Sequence, residues 1–270
     1  MLSLVELAPT FDYAAQTQCD VPACPVCQRG NASVPTTDRY GYAIGVSECP
    51  CGFAYLNPQM DAAGYDAFYN EAYRPLVYAA NKTSTPRTGG QNRGRAMGLN
   101  LSALTPKRPL MTVCDVGGSH GAVTEGFCQV WPAETVTVID PNADELAIAA
   151  PRGFRTKQAQ IESFPELPAQ DVLLCAQTFD HLRDPLGALA WLKASCVVGG
   201  WLFLDIVDAQ KWARLQHATH YLWKLDHPSY WTPPVIVRTV KQAGWRIRAR
   251  GYCSWTPAAY HYGLWCQKES

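Results

Sequence analysis

The sequence predicts an α/β fold: a doubly wound, mostly parallel sheet of seven strands with a small cysteine-bearing module in front of it. Three observations predict it. From about residue 110 onward, short apolar runs alternate with helix-length stretches, the order that builds a parallel sheet. The run Asp171–Cys175 is apolar without alternation, as a strand covered on both faces is. Five of the eleven cysteines fall before residue 52, four of them in two close pairs, which sets that segment apart from the rest.

At 270 residues and 47% hydrophobic, the chain has enough apolar mass for one α/β domain and an appendage. Lys+Arg and Asp+Glu each number 23, so no net field draws in a polyanion, and nucleic acid is not an expected partner. No apolar run reaches the roughly 20 residues of a membrane span, and the N-terminus lacks the basic flank of a signal peptide. The expectation is a cytoplasmic protein without a membrane partner. In that setting Cys114, Cys128, Cys175, Cys196, Cys253 and Cys266, all in apolar or aromatic surroundings, read as buried small hydrophobes.

Residues 1–60 form the first unit. Cys24-Pro25-Val26-Cys27 and Cys49-Pro50-Cys51-Gly52 are two knuckles that offer four thiolates to one tetrahedral Zn²⁺. The segment carries little apolar mass, so metal would contribute much of its folding free energy. Four protein ligands leave no open position, which makes the expected zinc structural. Because the second pair is C-x-C, Cys19 or Glu48 stand as alternatives to Cys49, and a redox or purely structural use of the thiols is the competing reading.

Residues 61–105 read as a helical connector or lid. Tyr65, Phe68, Tyr69 and Tyr73 fall at i, i+3, i+4 and i+8, a one-sided stripe from Asp61 onward. Tyr65 and Phe68 are expected to pack the module onto the main domain, while Tyr69 and Tyr73 are candidates to place hydroxyls over a cleft. The polar stretch 81–91 reads as a loop, ahead of a helix over Asn92 to Leu104.

Residues 106–270 form the core, with an acceptor-binding insertion near 208–232. Val113-Cys114-Asp115-Val116-Gly117-Gly118-Ser119-His120-Gly121 reads as a strand and a glycine-rich turn, and Val136–Ile139 as the next strand, ending in Asp140. Such a turn lets the backbone approach a nucleoside closely, and an acid at the next strand tip can take both ribose hydroxyls. The order is D-x-G-x-S-x-G rather than G-x-G-x-x-G, and Asp115 would repel a pyrophosphate. This segment resembles motif I of the class I S-adenosylmethionine-dependent methyltransferases, with Ser119 where that family usually has its middle glycine. The resemblance implies a Rossmann-like methyltransferase sheet. It also implies a cofactor held by Asp115, Gly117, Gly118, Ser119, Gly121, Asp140 and Pro141, with Ile161 and Glu162 toward the adenine edge.

Beyond Asp140 a helix over 141–150, a strand over Phe154 to Lys157 and the strand Asp171–Cys175 continue the alternation. At the carboxyl end of the last lies Gln177-Thr178-Phe179-Asp180-His181, where a doubly wound sheet presents its ligand. Gln177 and His181 are candidates for the methionine portion or the acceptor, with helix capping the alternative for His181. Gly199-Gly200 reads as a turn into Trp201–Val207. A helix from Pro233 to Ala243 and strands at Trp245–Tyr252 and His261–Gln267 follow, the last two linked too briefly for a helical crossover and so antiparallel.

From Cys24 onward, the C-x-x-C, the later Cys-Gly, Asn57-Pro58, Phe68-Tyr69 and Tyr73 together resemble a bacterial methyltransferase family with a zinc-binding N-terminal module. Its best understood members are C-methyltransferases of nucleotide-linked deoxysugars. An acid-histidine pair with an acid-base role in those enzymes corresponds here to Asp226 and His227, with Asp in place of the usual Glu. An imidazole beside a carboxylate suits a general base; capping of the next helix is the bland alternative. The expectation is methyl transfer from S-adenosylmethionine to a small polar acceptor, a sugar or nucleotide-linked sugar, with His227, Asp226, His181 and Tyr73 as catalytic candidates. The competing functions are an NAD-dependent sugar oxidoreductase, which would require nicotinamide binding and a catalytic Tyr-x-x-x-Lys-type dyad, and a noncatalytic zinc-binding adaptor.

Overall fold

The structure is a computed structural model and describes residues 11–73, 75–76, 87–106, 109–216, 223–253 and 260–269. Among them no helix is long and apolar enough to cross a membrane.

The N-terminal segment is built of short antiparallel strands. β1 (Gln18–Cys19) pairs with β5 (Gln59–Met60), and β2 (Val34–Thr37), β3 (Ala43–Glu48) and β4 (Ala54–Leu56) lie side by side. Their sheet is not complete within residues 1–60. Its fourth strand is β11 (Ser229–Tyr230), which pairs antiparallel with β4 through Ser229 opposite Tyr55 and Tyr230 opposite Ala54. Asp38 strengthens the joint, its carboxylate accepting from the backbone N–H of Tyr40, Tyr42 and Leu225 at 2.8, 2.9 and 2.8 Å. The module and the insertion near 208–232 therefore share one sheet and one apolar cluster, which holds Ile44, Leu56, Tyr65, Phe68, Leu225 and Tyr230.

The aromatic stripe differs from a regular helix. α1 (Ala62–Ala67) starts at Asp61, whose side chain accepts from Gly64 N–H, and then widens into a π-helical turn over Phe68–Ala72. Tyr65 and Phe68 are buried as expected, but against the module and the insertion rather than the parallel core.

α2 (Arg87–Leu104) begins five residues before its expected start, so 87–91 of the polar stretch are helical, and 81–86 lie outside the described residues. Of the two glycines in that stretch, Gly90 serves close packing, since a Cβ there would crowd Ala122, whereas Gly89 stands in open space. A Cβ on Gly94 would overlap the carbonyl oxygen of Val123, and one on Gly126 that of Gln91, so α2 and α3 (Ala122–Cys128) meet backbone to backbone.

The central sheet has seven strands: β6 (Leu110–Val116), β7 (Ala133–Asp140), β8 (Arg155–Gln158), β9 (Gln170–Cys175), β10 (Cys196–Val207), β12 (Arg246–Tyr252) and β13 (His261–Gln267). Their order is β12-β13-β10-β9-β6-β7-β8, parallel throughout except for β13, which runs antiparallel to both neighbours as expected. Gly199 and Gly200 do not make a separating turn. β10 runs through them with a register irregularity between Cys196 and Trp201, and Gly199 takes the left-handed conformation at φ +80°. Alternate residues of β9 feed two clusters, Val172 and Leu174 on one face and Leu173 and Cys175 on the other, as a strand covered on both sides requires.

The connecting helices are α4 (Ala143–Ala149), α5 (Pro185–Ala194), α6 (Ala209–Gln216) and α7 (Pro233–Gln242). α4 is capped by Asn142 rather than started by Asp140, which leaves that acid's oxygens for other partners. Of the six scattered cysteines, five are buried and Cys128 is partly exposed. The strand order reverses between β6 and β9, where a doubly wound sheet opens a crevice at its carboxyl edge.

Candidate functional site

A cleft of about 720 Å³ opens at that switch point. One end is the glycine turn after β6. Gly117 N–H and Gly118 N–H both donate to the Ile139 carbonyl, at 2.7 and 3.2 Å, which folds the turn over the tip of β7. Gly117 is left-handed at φ +71°, and a Cβ there would collide with the Thr178 side chain. Ser119 also sits in the left-handed region, at φ +51°, which disfavours a residue with a Cβ. Two contacts hold it. Its N–H donates to Asp140 Oδ2 at 2.8 Å, and its hydroxyl reaches Glu145 Oε2. Asp140 Oδ1 accepts from Asn142 N–H at 2.9 Å, so the acid is fixed at the cleft wall from both sides.

Asp115 lies beneath the turn, 1% exposed, and accepts from the Thr124 hydroxyl at 2.5 Å. Burial pushes its carboxyl up to about 7, with Asp140 adding to the rise and Thr124 and Arg93 opposing it. Pro141 and Ile161 line the cleft. Glu162 lines it too, but its carboxylate accepts from the N–H groups of Arg183 and Asp184 at 2.5 and 2.7 Å and meets Arg183 Nε at 3.3 Å, which pins the loop before α5.

Gln177 belongs to a buried polar chain that sequence reading missed. It is left-handed at φ +56°; its N–H donates to Asp205 Oδ1 at 2.6 Å, its Nε2 meets His261 Nε2 at 3.1 Å, and its Oε1 accepts from Arg93. His261 Nδ1 closes the loop on Asp205 Oδ2 at 3.0 Å. Arg93, Gln177, Asp205 and His261 come from α2, the β9 edge, β10 and β13, so no local motif announces them. All but Asp205 line the cleft.

The other end of the cleft gathers the remaining candidates. Tyr69 Oη bonds His181 Nδ1 at 3.1 Å, Tyr73 meets the His181 ring edge-on at 5.8 Å, and the His181 and His227 rings cross at 4.5 Å. His227 Nε2 is 2.7 Å from Lys224 Nζ and 3.6 Å from Asp226 Oδ2. Asp226 is 2% exposed, and its Oδ1 is buried with no hydrogen-bond partner among the described residues. Neither histidine caps a helix. Asp184 caps α5, and α7 follows Thr232, whose side chain makes no capping bond. Burial, then Lys224 and His181, hold the His227 imidazole well below its ordinary value. Lys224, Arg39 and Tyr230 also line this end and carry no sequence signature of their own.

The four knuckle thiols converge away from the cleft. Cys24 and Cys51 sulfurs stand 3.8 Å apart, Cys27 and Cys49 3.4 Å, and all four lie within 4.8 Å of one another. Thiolates on one tetrahedral Zn²⁺, each at about 2.3 Å, stand about 3.8 Å apart, so the donor set fits that ion. Cys49 belongs to the cluster, and Cys19 and Glu48 do not. Burial raises the Cys49 thiol, but hydrogen bonds from Cys51, Cys27 and Asn31 outweigh it and bring the group down to about 7. His181, Asp226 and His227 also bring ligand-type atoms within 4.8 Å of one another, but the Lys224 amine occupies the Nε2 face of His227.

A family profile described as "Methyltransferase domain" matches residues 90–250. Two curated relatives are ubiquinone biosynthesis O-methyltransferases. That of Aeromonas salmonicida (strain A449) is 24% identical over 168 residues, 56% of this chain and 70% of that protein. That of Pseudoalteromonas translucida (strain TAC 125) is 23% identical over 171 residues, with the same coverages. Among solved structures, the plantazolicin methyltransferase BpumL in complex with a pentazolic desmethylPZN analog and SAH aligns with a TM-score of 0.59 at 13% identity, covering 76% of this chain and 95% of that one. The N-methyltransferase NodS from Bradyrhizobium japonicum WM9 with S-adenosyl-L-homocysteine aligns at 0.53 and 15%, covering 67% and 88%. At these identities the structural likeness is one of fold.

Proposed function

The chain belongs to the methyltransferase-domain family and is an S-adenosylmethionine-dependent methyltransferase, and from that premise we propose that it methylates a small polar acceptor, a sugar or nucleotide-linked sugar. The observation that carries this reading is the Asp226–His227 pair. Asp226 and His227 line a cleft whose other end suits a nucleoside, and among the described residues Asp226 Oδ1 has no hydrogen-bond partner, so a hydroxyl-bearing acceptor that reached it would supply the missing bond. His227, neutral at physiological pH, takes the proton of the reacting group, and His181, fixed by Tyr69, walls the same space.

When bound, S-adenosylmethionine supplies an electrophilic methyl group on a sulfonium. Asp140 takes the ribose hydroxyls, Asp115 and the Gly117–Gly121 turn border the methionine portion, and Arg93 with Gln177 meets its carboxylate. The protein's contribution to rate is chiefly orientation of acceptor against methyl, with proton removal by His227. We assign the knuckle thiols to a structural Zn²⁺ held by Cys24, Cys27, Cys49 and Cys51, a closed ligand set with no position for substrate.

The test is a calorimetric titration with S-adenosylhomocysteine beside NAD⁺, followed by release of S-adenosylhomocysteine from the cofactor in the presence of a panel of nucleotide sugars, free sugars, phenols and amines. Turnover with a nucleotide sugar supports the reading. Turnover confined to phenols or amines overturns the acceptor class, and binding of neither cofactor overturns the cofactor assignment.

A further inference from the structure

Arg93 begins a chain of hydrogen bonds in which each proton is placed by the partner before it. A guanidinium only donates, so the Gln177 side-chain atom that meets its Nη1 is the carboxamide oxygen. The Gln177 amide nitrogen then faces His261 Nε2 at 3.1 Å, and it too only donates. Nε2 is therefore a bare acceptor. The ring proton sits on Nδ1, 3.0 Å from Asp205 Oδ2, which accepts it as a carboxylate. Asp205 Oδ1 is taken by the Gln177 backbone N–H at 2.6 Å, which holds that residue in its left-handed conformation. An imidazolium, or the opposite tautomer, would set donor against donor between His261 and Gln177.

The two ends of the chain differ. Asp205 is fully buried and His261 is 4% exposed, so the inner pair is dry and its polarity is costly to disturb. Arg93 lines the cleft, and its Nε is buried with no hydrogen-bond partner among the described residues. With Nη1 held by Gln177, the edge that remains is Nε–H beside Nη2, the side of a guanidinium that receives an oxyanion through two parallel bonds.

We propose that Asp205 and His261 are positioning residues for cofactor binding: they fix the Gln177 carboxamide, which locks Arg93 with its Nε edge ready for the carboxylate of the cofactor's methionine portion. The inference rests on the reading of Arg93 and Gln177 as partners of that carboxylate. No proton moves. The pair acts by making rotation of the carboxamide unfavourable, because the turned amide would put its NH₂ against Arg93 and its oxygen against the Nε2 lone pair.

The isosteric Asp205→Asn changes this polarity and little else. The Gln177 backbone N–H requires the asparagine oxygen, so the asparagine NH₂ faces His261 Nδ1 and drives the ring to the Nε2–H tautomer. Gln177 then turns its oxygen to His261 and its NH₂ to Arg93, where two donors oppose each other and the hold on Arg93 is lost.

The experiment needs no acceptor. The full chain is titrated calorimetrically with S-adenosylhomocysteine and with its decarboxylated analogue, and long-range ¹H–¹⁵N spectra of histidine-labelled protein at about pH 8, assigned through the backbone, report the His261 tautomer. The wild type is expected to carry Nδ1–H with a bare Nε2 and to prefer S-adenosylhomocysteine by at least about 10-fold. Asp205→Asn is expected to carry Nε2–H and to weaken S-adenosylhomocysteine at least about 10-fold, while the analogue stays within about twofold. His261→Phe, which keeps a ring and removes both nitrogens, is expected to lose the preference in the same way. Nε2–H or a doubly protonated His261 in the wild type overturns the proposal with no variant needed. Variants that keep the preference, or that weaken both ligands alike, overturn it as well. A wild type with the expected tautomer that binds the two ligands equally overturns the carboxylate reading of Arg93 and Gln177 instead.

Discussion

Asp140 Oδ2 accepts the backbone N–H of Ser119 at 2.8 Å, joining the acid at the tip of β7 to the turn that follows β6. The bond ties the ribose-side acid to Ser119, which stands where motif I usually has its middle glycine, and holds it in its left-handed conformation.

Asp140→Ala is therefore expected to remove both the ribose acceptor and a support of the turn. Each lost charge-assisted hydrogen bond is worth about 1.5–3 kcal/mol, so affinity for S-adenosylhomocysteine should fall at least about 10-fold. Calorimetry measures it; an unchanged affinity removes the ribose assignment.

His227→Ala should lower kcat on the order of 10²-fold or more while sparing S-adenosylhomocysteine affinity, because the ring stands at the acceptor end of the cleft. Initial rates beside a binding isotherm separate the two. Full activity eliminates the base role.

Asp115 sets a pH-dependent cost. Its folded carboxyl is raised to about 7 by burial, so the protonated folded form is favoured, and the contribution to stability is complete below the unfolded value near 4 and lost as pH rises through about 7. Asp115→Asn should make the cofactor-free protein more stable than wild type at pH 8 by on the order of 2–4 kcal/mol, with the gap closing toward about pH 4. Urea midpoints across that range measure it. A gap that does not grow with pH rejects the buried-acid account.

Elemental analysis of the purified chain should find about one zinc per molecule, and Cys24→Ser should lose it and lower the melting temperature. A chain that is folded and metal-free ends the zinc assignment.

The parallel sheet was legible because its signals are local. An unbroken apolar run marks β9, a glycine turn ends β6, and Asp140 terminates β7. The start of α2 was hidden because Gly89 and Gly90 read as loop residues, although Gly90, with Gly94 and Gly126, lets two helices touch. β11 is two residues long and gains its meaning only from a partner more than 170 positions earlier, so no periodicity could reveal it. The Asp226–His227 pair was readable as a motif. The Arg93–Gln177–His261–Asp205 chain was not, because four separate elements assemble it.

The pairing of β11 with β4 bears on how this enzyme can be cut. Tyr230, whose hydroxyl holds the Lys224 backbone at the acceptor end, is a rung of the sheet whose other three strands lie before residue 60. A fragment trimmed to the parallel sheet and its helices would keep the cofactor turn and lose the rail on which the acceptor side rests. Such a truncation is expected to bind S-adenosylhomocysteine yet transfer nothing, and grafting the insertion onto another scaffold requires the N-terminal strands to travel with it.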